Sequence, residues 1–218
     1  MQLAEASRSV LRVGDGRGFV VAGDGATYVV TASHCLPHLP QCGSYLTDKQ
    51  TYQALLGPPG AETTPVWADC VFVDPVSDIA ILGCPDRVLR YVDDPAVFDQ
   101  WQAYQDLVDK TVSVSIRPVE PPEPAWLFGA DAKHWFRCYV RGRQSLWIVE
   151  AAEPICEAMS RSPILGADGK AIGICIGTGS DNLGNRRPNP GLVASIPGWL
   201  VDELVMPIGA GPDPVRCC

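Results

Sequence analysis

From Arg17 to Val30 the chain carries two short apolar, β-branched runs joined by Asp24-Gly25, and that pattern leaves little alternative to a β-hairpin. The hairpin ends on Thr31-Ala32-Ser33-His34-Cys35, so a histidine stands where its second strand stops. Two readings are open for such a residue. It is a structural histidine satisfied by its surroundings, or a general base that requires an acid and a nucleophile elsewhere in the chain.

Around that hairpin the sequence keeps a β habit. Strand-like runs rich in valine and isoleucine are punctuated by 21 glycines and 20 prolines, which favours a mostly β protein. Expected strands cover Ser9–Val13, Tyr45–Leu56, Val66–Val73, Asp78–Leu82, Thr111–Arg117, His134–Val140, Ser145–Ala151, Pro163–Leu165, Lys170–Gly177 and Leu192–Ile196. The period changes between Asp94 and Val108, where apolar residues at 97, 98, 101, 104, 107 and 108 share one helical face; Asp94 can cap this helix and Pro95 suits its first position. Trp199–Val205 fits a short closing helix. The expected organisation is a β half over residues 1–93, a connecting helix over 94–110, a second β half over 111–206 and a tail over 207–218.

Composition narrows the function classes. A net charge of −8 opposes general nucleic-acid binding, which needs basic surface to displace counterions from phosphates. No apolar stretch is long enough for a membrane helix, and Met1 to Ser9 lacks the features of a secretory signal, so a cytoplasmic chain is expected. The nine cysteines then read as reduced thiols, several of them buried. Cys35, His38 and Cys42 have spacings that a metal could use, but no second ligand pair follows at finger-like spacing. No metal or other cofactor is expected.

A second informative stretch runs Glu157-Ala158-Met159-Ser160-Arg161-Ser162-Pro163-Ile164-Leu165, followed by the Asp168-Gly169 turn and Ala171-Ile172-Gly173-Ile174. Taken singly, Asp78 reads as a strand cap or surface carboxylate and Ser160 as a loop hydroxyl. In their order, the hairpin with its histidine, the Asp78-Ile79-Ala80-Ile81-Leu82 run and the Ser160 segment resemble the trypsin-like serine proteases, and among them the bacterial HtrA-type and glutamyl endopeptidases.

The resemblance covers about Ser9 to Val205 and implies an all-β fold of two six-stranded antiparallel β-barrels of chymotrypsin type. It implies a serine endopeptidase with His34 as general base, Asp78 holding the imidazole tautomer, and Ser160 as nucleophile, passing through an acyl-enzyme. The backbone N–H groups of Ala158 and Ser160 would form the oxyanion hole. Pro154, Glu157, Gly177, Thr178 and Gly179 fall where the family builds its substrate pocket, with Glu153 nearby. Solvated loop charge is the favoured reading of both glutamates.

Three departures bear on activity and control. Ala158 and Arg161 stand where the family has glycines beside the nucleophile, and a Cβ obstructs close backbone approach. Arg161 must line the cleft or leave it: it binds an acidic substrate group, blocks the site until a partner moves it, or marks a non-catalytic relative that binds peptides or proteins. Met159 replaces the aspartate that zymogens use for activation. Beyond a peptide or protein substrate, a regulatory partner or fused domain is therefore expected, with no nucleic acid or membrane among the partners.

Overall fold

The computed structural model describes residues 3–23, 26–40, 50–85, 95–142, 146–156, 159, 161–178 and 191–197. A four-residue helix α1 (Leu3–Ala6) leads into β1 (Val10–Val13), β2 (Gly16–Ala22), β3 (Thr27–Thr31), β4 (Thr51–Gly57), β5 (Val66–Asp74) and β6 (Ile79–Gly83). Helix α2 (Pro95–Asp109) follows. The second half holds β7 (Glu123–Phe128), β8 (Trp135–Arg141), β9 (Leu146–Val149), β10 (Pro163–Gly166), β11 (Ala171–Thr178) and β12 (Gly191–Ser195).

Each half closes on itself. The first barrel runs β1-β2-β3-β6-β5-β4 and the second β10-β11-β12-β9-β8-β7, every neighbouring pair antiparallel, so neither sheet leaves an open edge. Two six-stranded antiparallel barrels are the chymotrypsin-type arrangement that the sequence motifs imply.

Continuous apolar runs explain the packing. Phe19, Val20, Val29 and Val30 are all fully buried, and their cluster extends into the second half through Leu165, Ala171, Ile174, Ala194 and Ile196. The two barrels thus share apolar surface, whose removal from water is the main favourable term in such a contact. A separate cluster, centred on Leu127, Val140, Ile148, Ile164 and Ile172, fills the second barrel.

Helix α2 packs on β5 of the first barrel. Val97, Tyr104, Leu107 and Val108 are buried along its inner stripe, and the Tyr104 hydroxyl donates to the Thr27 carbonyl at 2.8 Å. Phe98, expected on that face, is half-exposed because it lies about 100° around the helix from Val97. No helix among the described residues is long and apolar enough to cross a membrane.

Other expectations shift. Thr111–Arg117 is an extended connector and not a strand: only Ile116 forms a bridge, parallel to Ala171. The strand pairing with β8 and β10 is instead β7, a segment the sequence reading omitted among the prolines at 118, 121, 122 and 124. Ser9 belongs to the turn before β1, where its hydroxyl donates to the Ala6 carbonyl at 2.7 Å. Of the expected strand Tyr45–Leu56, the ladder begins at Thr51 and residues 45–49 lie outside the described residues. So do the Asp24-Gly25 turn, the Asp94 cap and the expected closing helix Trp199–Val205.

Candidate active site

Strand register brings the histidine and the acid together. Beta3 pairs with β6 through Thr31↔Ala80, and two steps further along the same antiparallel ladder Ser33 stands opposite Asp78. The Ser33 amide donates to the Asp78 carbonyl at 3.3 Å, extending the ladder by one bond. Past it the chain turns into a short 3₁₀ segment, Ser33–Cys35, which swings the His34 ring back over the carboxylate.

Asp78 is fully engaged. Its Oδ1 accepts from Ser33 Oγ at 2.8 Å and from the His34 amide at 3.1 Å, while Oδ2 lies 2.6 Å from His34 Nδ1. Its backbone sits at φ 54, a left-handed conformation uncommon outside glycine, asparagine and aspartate. Strain of this kind persists where the surroundings over-determine it, and here the three acceptor contacts supply that constraint.

The other ring nitrogen is also occupied. Arg161 Nε donates to His34 Nε2 at 2.9 Å. An arginine N–H can only donate, so Nε2 carries the lone pair and the ring proton is on Nδ1, directed at Asp78. This is the tautomer a general base requires, with its acceptor position covered by a cation. The Arg161 backbone is left-handed at φ 74, and its amide donates to the Cys175 carbonyl on β11.

The segments flanking Ser160 are pinned. The Met159 amide donates to the Cys156 carbonyl at 2.9 Å, the Ser162 amide to Met159 at 3.1 Å, and the Cys175 amide to Ser162 at 3.0 Å. Met159 and Ser162 are buried. Glu157, Ala158, Ser160 and Gly179 themselves lie outside the described residues. Pro154 is an exposed loop residue, and Gly177 and Thr178 end β11 opposite Leu192 and Gly191.

Glu153 is engaged by a histidine. His134 lies between two carboxylates, its Nε2 2.8 Å from Glu153 Oε1 and its Nδ1 2.9 Å from Asp131 Oδ1. These hydrogen bonds, Glu153 first and Asp131 second, raise the His134 pKa above its usual 6.5. The folded state therefore holds the proton more tightly than the unfolded one: the contribution to stability is complete at pH below the ordinary histidine value and fades as pH rises through the raised one. Titration followed by NMR is expected to place His134 above 6.5, and Glu153→Gln to move it back towards that value.

Cys35, next to His34, is not a rival nucleophile. Its sulfur lies 3.1 Å from Thr31 Oγ1, and burial pushes its thiol pKa up, away from the reactive thiolate. Of the six described cysteines, Cys35, Cys70, Cys138 and Cys175 are buried. His38 packs edge-on against Tyr52 with ring centroids 5.2 Å apart, and the Tyr52 hydroxyl donates to the His38 carbonyl. Cys42 lies outside the described residues.

Sequence reasoning missed Arg17. From β2 its guanidinium crosses to the second barrel and donates to the carbonyls of Gly129 (2.8 Å) and Ala130 (2.6 Å) and to Ser162 Oγ (3.0 Å). It also lies 5.7 Å from the centre of the Phe128 ring. Burial lowers its pKa, with Asp131 acting in the opposite direction. Nothing local to Arg17-Gly18-Phe19 announces these contacts. Ser33, by contrast, could have been found by carrying the β3–β6 register past Thr31.

The sequence matches no protein-family model and no curated protein. The fold is nevertheless shared with solved structures that include a protease domain. The apo MamO protease domain of Magnetospirillum magneticum is 16% identical, with 93% of this chain and 98% of that one aligned at a TM-score of 0.52. Rv3671c of M. tuberculosis H37Rv, as a serine-to-alanine mutant in an inactive form, is likewise 16% identical over 93% of this chain and 89% of that one, with a TM-score of 0.52.

Proposed function

We propose that this chain is a serine endopeptidase. Ser160 attacks the scissile carbonyl while His34 Nε2 takes its proton, Asp78 holds the imidazole and stabilises its charged form, and the backbone N–H groups of Ala158 and Ser160 receive the oxyanion. His34 then returns the proton to the departing amine, and water releases the acyl group. Pro154, Glu157, Gly177, Thr178 and Gly179 border the substrate pocket in this reading.

One observation carries it: a histidine in the Nδ1–H tautomer on a carboxylate, with its Nε2 in contact with the chain neighbour of the serine. The same contact favours a second reading, a peptide-binding module without catalysis, because a base whose lone pair is covered cannot accept a proton. A fluorophosphonate probe separates the two. Labelling of the native chain, abolished by Ser160→Ala and suppressed by His34→Ala, supports the peptidase. A well-folded chain that stays unlabelled, with Arg161 present or replaced by glycine, leaves the binding module.

A further inference from the structure

The Arg161 guanidinium occupies His34 Nε2 and also borders a cleft of about 440 Å³ lined in part by Arg12, Asp15, Gly16, Arg17 and Asp131. The geometry points to this cleft as a subsite for an aspartate or glutamate immediately after the scissile bond, whose carboxylate draws Arg161 off His34 Nε2. The inference rests on the peptidase reading for the location of the scissile bond.

Charge accounts for the ligand. In a chain of net charge −8, three arginines converge on one cleft. Arg17 is held by two carbonyls and a hydroxyl, all neutral acceptors. Arg12 donates to the carbonyls of Gly14 and Ala61, and the exposed carboxylate of Asp15 lies 3.9 Å from it. Asp131 is engaged by His134 and by the Lys133 amide. Among the described residues no carboxylate pairs with Arg161, whose hydrogen-bond acceptor is a neutral imidazole nitrogen. A carboxylate accepts two guanidinium N–H groups side by side and holds them more strongly than a neutral nitrogen does, so an acidic side chain competes for this arginine where an amide or a lysine does not.

Reaction geometry fixes which substrate residue is concerned. His34 Nε2 must deliver a proton to the leaving amine, so the residue beginning with that amine passes the place where Arg161 now sits. An acidic residue there would fill the cleft and free the base in one movement. Gly16 makes the resting position of Arg161 possible: a Cβ at Gly16 would lie inside contact distance of Arg161 Cδ, Nε and Nη1. Only a flexible side chain has to move, so Gly16→Ala should displace the arginine without removing its charge.

The test uses the full chain and a random peptide mixture, with the residue after each cut read by mass spectrometry and the fluorophosphonate labelling rate measured in parallel. Aspartate and glutamate are expected about tenfold enriched over asparagine and glutamine after the cut, and Arg161→Gly should erase that enrichment. Both Arg161→Gly and Gly16→Ala should label about tenfold faster than the native chain. Glycine accepts the φ of 74 at position 161, so this variant keeps the fold. Cutting without enrichment, or enrichment that survives Arg161→Gly, overturns the inference and leaves the peptidase reading in place. If no variant labels or cuts, the peptidase reading falls, and anisotropy of a fluorescein-labelled Asp/Glu hexapeptide decides the subsite. Arg161-dependent, salt-sensitive binding keeps the cleft as a site for an acidic side chain without a scissile bond beside it, and absence of binding removes it.

Discussion

Asp78→Asn, introduced into an Arg161→Gly background so that His34 Nε2 is uncovered, is expected to lower kcat/KM and the fluorophosphonate labelling rate by about 10⁴-fold without unfolding the chain. The reason lies in which oxygen does what. Oδ1 accepts from Ser33 Oγ and the His34 amide, and an asparagine oxygen in that place keeps both bonds. Oδ2 accepts from His34 Nδ1, and there asparagine presents an NH₂ that can only donate. The ring must turn its Nδ1 lone pair to that donor and carry its proton on Nε2, leaving no acceptor for the serine. The backbone is not disturbed, because asparagine tolerates the φ of 54 at this position as well as aspartate does. Asp78→Ala would be less informative, since it also releases the Ser33 anchor. Circular dichroism should match the parent, and a loss smaller than about tenfold would remove Asp78 from the proposed chemistry.

The legibility of this site follows the range of the interactions involved. The hairpin that carries His34 and the apolar run after Asp78 are local patterns, and each appears as a strand close to its expected limits. Their meeting is non-local, but it is legible once β3 and β6 are taken as neighbours, because an antiparallel register runs on to Ser33 and Asp78. Thr111–Arg117 shows where composition fails. Its alternation of valine, isoleucine and small polar residues suits a strand, yet its backbone partners are scattered over Arg8, Val20 and Ala171 and only Ile116 forms a β-bridge. Beta7 is the converse case: prolines argue against a ladder, but β8 and β10 flank it on both sides and supply the pairing. Arg161 was legible as a residue that must line or leave the cleft. Its contact with His34 spans 127 positions and could come only from the folded chain.

Arg17→Met is expected to destabilise the protein by about 2–4 kcal/mol, seen as a lower urea midpoint. The substitution keeps an unbranched apolar stem beside Phe128 and removes three charge-assisted hydrogen bonds between the barrels. Their acceptors do not suffer equally. Ser162 is fully buried and its hydroxyl loses the donor outright, and Gly129 is buried as well, whereas Ala130 borders the open cleft, where water can replace part of what its carbonyl loses. The m-value should hold, because the apolar cluster of the first barrel still extends into Leu165, Ile174, Ala194 and Ile196 of the second and the halves continue to unfold together. A fall in m would instead mean that Arg17 alone couples the barrels. Arg17→Lys should recover little, since an ammonium cannot reproduce a planar fork that reaches Gly129, Ala130 and Ser162 at once. Ser162→Ala in a double-mutant cycle with Arg17→Met should give a coupling near 1 kcal/mol, and independence of the two would place the cost of Arg17 wholly on the carbonyls.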